Sequence, residues 1–358
     1  MVNKWQAFFL IVLTLPIMGH VVLLPLAIDL AGRDSWISAF FSFPIGVVFL
    51  FALYRLRLQY PKGSAHKAFK QLQGNVVTII SLFLFLVFFV FLTALSIASL
   101  IEMISVAFLP ETPIWALVVS FLLLSMYGAS KSIKGIALTA GILFFTVMFT
   151  GHSITFINFP ERDLLDLLPL LENGWKPVFF GTILLSNVWI ELLFLLVIPI
   201  KDIKEKRLFS VLSLGLIANV LMMLSTMSGA IMTFGLGQAE SFIYPALEIV
   251  RIIDIDFIDR LDVYALILMT FGCYIRGSLF LKVSYMQVKN LISSNQNWIN
   301  KTLFITLSTI IGFITYYMGY TRMRFEAALF VYAHSILLYP IPFILLFIAW
   351  MRKRRGYY

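Results

Sequence analysis

Two charged residues lie deep inside apolar runs of this chain, and their chemistry needs explaining first. Glu191 ends the stretch Ser186-Asn-Val-Trp-Ile-Glu, which interrupts the apolar run from Val178 to Ile200. A carboxylate in mid-membrane costs about 3 kcal/mol on insertion scales, so such a residue is functional by default. Ser186 and Asn187 bond readily to backbone groups and compete with helical pairing, while Trp189 adds a large flat surface with one polar handle. The combination suits either a locally opened helix facing a small ligand or a helix with one polar patch paired to a neighbour. Arg276 is the second charge, in the run from Leu261 to Val283. Glu191 is nine residues from the inner end of its run, about 14 Å along a helix, and Arg276 precedes Lys282 by six, about 9 Å. An arginine keeps its proton, so mutual neutralisation accounts for both at comparable depth. Such a pair serves as a proton carrier in symport, as a ligand for a substrate ammonium, or as a latch joining two helices, and the latch is the simplest of the three.

Other polar residues extend the candidate site. In the first run Pro16 removes a helix hydrogen bond, Gly19 lowers helix propensity, His20 brings a titratable ring and Pro25 follows. A helix kinked or opened between Pro16 and His20 is expected. Thr93, Ser96 and Ser99 recur every third residue in the third run, and they either line a cavity or bond across helices. Thr270 stands with Gly272 and Cys273 in the eighth. The candidate ligand contacts are therefore Pro16, Gly19, His20, Thr93, Ser96, Ser186, Asn187, Trp189, Glu191 and Thr270, with Glu191 and Arg276 as coupling group or latch.

These residues must be positioned by membrane helices. Of 358 residues 61% are hydrophobic and 13% charged, and the mean hydropathy is +0.95, far from a soluble globular balance. Ten apolar spans are expected: Trp5 to Ala31, Ile37 to Leu56, Val76 to Phe108, Ile114 to Gly128, Gly135 to Asn158, Val178 to Ile200, Leu208 to Gly237, Leu261 to Val283, Thr302 to Tyr320 and Ala327 to Met351. With both ends cytoplasmic, 19 of the 27 basic residues fall on inner segments and 7 on outer ones, as the positive-inside rule requires. The net charge of +9 thus reflects orientation in a bilayer, because the basic residues are scattered and form no nucleic-acid-binding domain. One cysteine excludes an internal disulfide, four histidines without close spacing make no metal site, and no phosphate loop or nucleophile-base pair is present. No cofactor and no enzyme activity are expected. The first run lacks a cleavage site after a short apolar core and reads as a retained span.

Spans one and six are each interrupted near the middle, and each begins a block of five. The chain reads as a single all-α transmembrane domain over 1–358, with one repeat at about 5–158 and a second at about 178–351. Inverted repeats whose first helices are discontinuous mark a transporter architecture that binds substrate at midplane. Two outer connections are long. Phe159 to Pro177 could lie in the interface, and Gln238 to Arg260 places Ile243, Leu247, Val250, Ile253 and Phe257 on one helical face with Glu248, Arg251 and Asp254 on another. Tyr244, Pro245, Glu248 and Arg251 are the candidate outer lid, with a passive interfacial helix as the alternative. Acidic residues gather on the outer side, among them Glu161, Asp163, Asp166, Glu172 and Asp262. They form either a solvated surface or a mouth suited to a cationic or zwitterionic ligand.

The stretch Tyr244-Pro-Ala-Leu-Glu-Ile-Val-Arg-Ile-Ile, followed by Asp256-Phe-Ile-Asp-Arg-Leu-Asp262, resembles the outer-loop signature of the B subunits of spore germinant receptors, the GerAB-type permease-like proteins. Leu168-Pro-Leu-Leu-Glu-Asn-Gly-Trp-Lys-Pro177 is similar to the segment before their sixth helix, and Ala31-Gly-Arg-Asp-Ser-Trp-Ile-Ser38 to the turn after their first. The similarity spans essentially the whole chain. It implies the amino acid-polyamine-organocation superfamily, a LeuT-like five-plus-five fold with helices one and six discontinuous, and sensing of a small-molecule germinant with an A subunit and a C lipoprotein in the spore inner membrane. A proton-coupled amino-acid or polyamine transporter in the bacterial cell membrane is the alternative. The superfamily often carries Gly-Phe-Glu near the break of helix six, where Trp189-Ile-Glu191 stands here. Gly19-His20-Val21-Val22 likewise replaces a small-residue stretch in helix one. Both departures reshape the implied pocket.

Overall fold

A computed structural model describes residues 1–59, 75–201, 204–205, 207–253, 261–292 and 296–354. Among these, nine helical stretches are long and apolar enough to cross a bilayer, and Ile114–Ser130 is a shorter apolar helix. The described helices form ten spans. Span one comprises Lys4–Thr14, a wide π turn at Ile17–Val22, and Leu24–Ala31. Gly32, at φ 56°, then turns the chain into span two, Ser35–Leu58. Spans three to five are Asn75–Ala107, Ile114–Ser130 and Ile133–Ile157. Span six consists of Trp175–Ile190, a 3₁₀ turn at Glu191–Leu193, and Phe194–Val197. Spans seven, eight and nine are Leu208–Ser241, Asp262–Ile292 and Asn297–Gly319. Span ten joins Arg322–Ala333, a 3₁₀ turn at His334–Leu338, and Pro340–Arg354.

The packing repeats itself when five is added to each span. Span one lies on seven as six lies on two, four on eight as nine on three, and five on one as ten on six; spans three and eight, two and seven, and four and nine pair with each other. This is the pattern of two five-helix units related by an internal axis. Spans three and eight form the central pair, and the core around them includes Phe89, Phe280 and the fully buried Trp189 and Arg276.

Span seven kinks at Gly235, where φ is 70°, and three breaks interrupt spans one, six and ten, of which two sit differently from expectation. In span one Pro16 removes an amide donor, and the following turn widens at Ile17–Val22, overlapping the expected region and extending two residues past it. Span six does not open at Ser186 to Ile190. Ser186 donates to Thr182 O at 2.6 Å, and Asn187 donates to the carbonyls of Ile183 (3.1 Å) and Leu184 (3.0 Å). Bonds to the preceding turn leave an α-helix intact. The irregularity begins at Glu191 and tightens the helix instead of unwinding it. Span ten carries a further break, unanticipated from sequence, at His334–Leu338. Pro340 and Pro342 follow it, and a proline disfavours helical conformation just before itself.

Each end of the bundle is tied shut by groups from the two repeats. At one end Val2 and Ile200 form a parallel bridge, with Val2 N–H on Pro199 O at 2.9 Å and Lys201 N–H on Val2 O at 2.8 Å. Arg57, at the end of span two, donates to Leu196 O and Ile198 O, both at 3.0 Å, satisfying carbonyls that the end of span six leaves orphaned. At the other end the turn after span one clasps the approach to span six. Arg33 donates to Leu168 O at 2.9 Å, and the Asp34 carboxylate accepts from Leu171 N–H at 3.0 Å.

Candidate functional site

Glu191 and Arg276 meet in the centre of the bundle, both fully buried. The guanidinium forks onto the carboxylate: Nη1 donates to Oε2, and Nη2 donates to Oε1 at 2.7 Å. Such a bidentate pair combines charge with fixed geometry. The remaining donors of Arg276 are also used. Nε bonds Ser96 Oγ at 2.7 Å, and Nη1 also reaches Thr14 O at 3.1 Å, where the first segment of span one ends. Ser96 passes its own proton to Leu92 O at 2.5 Å, so it accepts from Arg276 without conflict. The Tyr332 hydroxyl donates to Glu191 Oε1 at 2.6 Å. One ion pair therefore connects spans one, three, six, eight and ten, and the breaks in spans one, six and ten adjoin it.

Ser186 and Asn187 face span ten. Ser335 Oγ donates to Asn187 Oδ1 at 3.0 Å, and Tyr339 OH donates to Ser186 O at 2.9 Å. Trp189 packs on span two, where a β-carbon at Gly46 would sit 2.7 Å from the indole ring. Gly19 is buried against Met223. Thr270 is half-buried, and Thr93 and Ser99 donate to carbonyls one turn earlier, so of Thr93, Ser96 and Ser99 it is Ser96 that bonds across helices. Sequence reasoning missed Tyr332, Ser335 and Tyr339. Their signal was a polar cluster, Tyr332-Ala-His-Ser335, ahead of Tyr339-Pro340 in an apolar run.

A cavity of about 510 Å³ lies on the other side of span one. Pro16, Ile17 and His20 contribute the opened turn, Met148 and Thr155 come from span five, Met222 and Ser225 from span seven, and Met269 and Gly272 from span eight. The short helix Pro245–Arg251 roofs it with Ala246, Leu247, Ile249 and Val250. Of the predicted contacts only Pro16 and His20 line this cavity; Thr93, Ser96, Ser186, Asn187, Trp189, Glu191 and Thr270 do not.

In the lid region Tyr244 and Pro245 are buried, while Arg251 bonds Glu248 at 2.7 Å and Ala107 O at 3.2 Å and lies 3.6 Å from Asp262. Phe257, Asp254 and most of the Asp256 to Asp262 stretch lie outside the described residues. Several of the outer acidic groups are already engaged. Glu172 pairs with Arg33, Glu248 and Asp262 with Arg251, and Asp163 accepts from Leu165 N–H at 2.8 Å.

The chain matches the family model described as spore germination protein over residues 1–352. It is 27% identical over 299 residues to spore germination protein XB of Bacillus anthracis, covering 83% of this chain and 84% of that protein. To spore germination protein KB of Bacillus subtilis it is 23% identical over 340 residues, covering 91% and 90%. Among solved structures, MhsT in complex with L-phenylalanine superposes with a TM-score of 0.70 at 12% identity, over 95% of this chain and 87% of that one. A substrate-bound, outward-open Na⁺-coupled sialic acid symporter gives 0.65 at 12% identity, over 91% and 76%. These likenesses show the LeuT-type fold.

Proposed function

The chain belongs to the spore germination protein family, and on that premise we propose that it is the membrane subunit of a spore germinant receptor. In this reading it binds a small nutrient, such as an amino acid or a similar polar molecule, and signals with an A subunit and a C lipoprotein in the spore inner membrane, its termini cytoplasmic. The observation that carries the reading is the cavity beside the opened turn of span one, roofed by Pro245–Arg251. A ligand against Pro16 and His20 would press on the π turn, whose preceding carbonyl, Thr14 O, is held by Arg276. Any shift there loads the Glu191 pair and, through Tyr332, span ten. Glu191 and Arg276 are then the latch between ligand and response, Ser96 a support for it, and Ser186, Asn187 and Trp189 its packing against spans ten and two. Pro245–Arg251 is the lid.

Spores carrying Ala218→Trp, which places an indole in the cavity, should assemble the receptor normally and lose the response to its nutrient. Normal germination in those spores, with the protein at normal level, would sink the reading. A proton-coupled amino-acid or polyamine transporter is the second reading, favoured by a carboxylate buried in mid-membrane within a transporter fold. Proton-driven uptake of a labelled amino acid by the isolated chain in proteoliposomes, abolished by Glu191→Gln, would select it.

A further inference from the structure

Arg162, in the connection between spans five and six, is the one charged residue among the described residues lining the cavity. Its Nε donates to Asn158 Oδ1 at 3.1 Å, and among the described residues no carboxylate pairs with its Nη1 or Nη2. Arg33, Arg251, Arg276 and Arg322 each face a carboxylate. Asn158 is fully buried and accepts from both Arg162 and Thr233, the latter at 3.2 Å, which leaves its Nδ2 a buried donor without a partner.

Arg162 is also held in place. A β-carbon on Gly229 would lie 3.2 Å from Nη2 and 3.3 Å from Cζ, so the guanidinium packs closely against span seven at this glycine and would have to shift by a few tenths of an ångström for a larger residue. The next residue, Asp163, is pinned by its N–H to Met232 O at 2.8 Å. Burial pulls the Arg162 guanidinium below its ordinary value, the direction expected of a cation held without a counter-charge. The rest of the wall is mainly apolar, with Leu13, Ile17, Met222, Val250 and Leu268, and among the described residues it holds no carboxylate to meet an ammonium. About 510 Å³ falls within the usual range for small-ligand sites. The wall also includes Leu221, which is 58% exposed on the outer surface of span seven, so the cavity reaches the lipid-facing side.

We propose that this cavity takes an amphiphilic anion, one carboxylate on an apolar body, and that Arg162, positioned by Gly229 and Asn158, is the residue that binds the carboxylate. The inference rests on the reading that the cavity is the ligand site. It reverses the expectation of a cationic or zwitterionic ligand drawn from the outer acidic residues, because Glu248 and Asp262 pair with Arg251 and, among the described residues, the one fixed charge on the wall is the Arg162 guanidinium. Two sources share this chemistry: a free carboxylic acid arriving past Pro245–Arg251, and a fatty acid entering between spans five and seven.

The test titrates the purified full chain with 4-methylpentanoate, with the amine of the same carbon skeleton, and with oleate. Both acids should bind and the amine should not. Arg162→Gln should weaken acid binding by about tenfold or more, and Gly229→Ala should weaken it with unchanged melting temperature. Oleate binding without 4-methylpentanoate binding assigns the lipid source; the converse assigns the free acid. Absence of binding by either acid, equal binding of the amine, or unchanged affinity in Arg162→Gln overturns the proposal. In spores, loss of response in Ala218→Trp with a full response in Arg162→Gln would refute the anion assignment alone. A full response in Ala218→Trp would refute the site itself.

Discussion

Glu191→Gln is expected to destabilise the whole bundle while leaving its shape nearly unchanged. The substitution is almost isosteric but leaves the fully buried Arg276 with its charge uncompensated. Of the bonds Arg276 makes, those to Ser96 Oγ and Thr14 O survive, whereas the forked pair to Glu191 loses its charge and at most one acceptor remains. The Tyr332 hydroxyl then competes with Arg276 for that acceptor. Removing one member of a buried pair typically costs about 3–5 kcal/mol. Arg276→Met alone should cost a similar amount, since it strands the carboxylate with only Tyr332 as donor. The double variant Glu191→Gln, Arg276→Met strands neither charge and should recover much of the loss, giving a coupling energy of about 2 kcal/mol or more. Equilibrium unfolding of the four proteins in mixed micelles measures this cycle. Single losses below about 1 kcal/mol, or losses that simply add, would refute the claim that the two groups neutralise each other.

Three further outcomes follow from neighbouring geometry. Tyr332→Phe removes a donor from a carboxylate that Arg276 still holds, and should lower unfolding stability by about 1–2 kcal/mol. Gly46→Ala pushes a methyl group into the Trp189 ring and should cost about 1–3 kcal/mol, with Trp189→Phe restoring part of it in the double variant. Arg57→Met strips the donors from Leu196 O and Ile198 O; amide exchange over Phe194 to Lys201 should accelerate while exchange in span three stays unchanged.

The spans, their number and most of their limits to within about five residues were legible in the sequence, because a hydrocarbon slab imposes length and apolarity on each helix independently of its neighbours; span eight runs on to Ile292, past the expected Val283. The disruption near Pro16 was legible for a similar reason, since a missing amide is a local fact. The pairing of Glu191 with Arg276 followed from the cost of leaving either alone. What the sequence could not supply was the direction of the side chains around that pair. Ser186 and Asn187 have the composition of an opened helix, yet they bond to the turn behind them and to span ten. Trp189 has the shape of a ligand platform but lies against Gly46, which is 143 positions away in the chain. Tyr332 entered the site only because span ten breaks beside span six. The cavity itself lies across span one from the pair and draws on spans five and seven, which carried no candidate residue. Polarity and periodicity are properties of a segment, whereas which face meets which neighbour depends on packing among all ten helices at once. Tertiary structure alone therefore separated the Glu191–Arg276 pair from the cavity at Pro16 and His20.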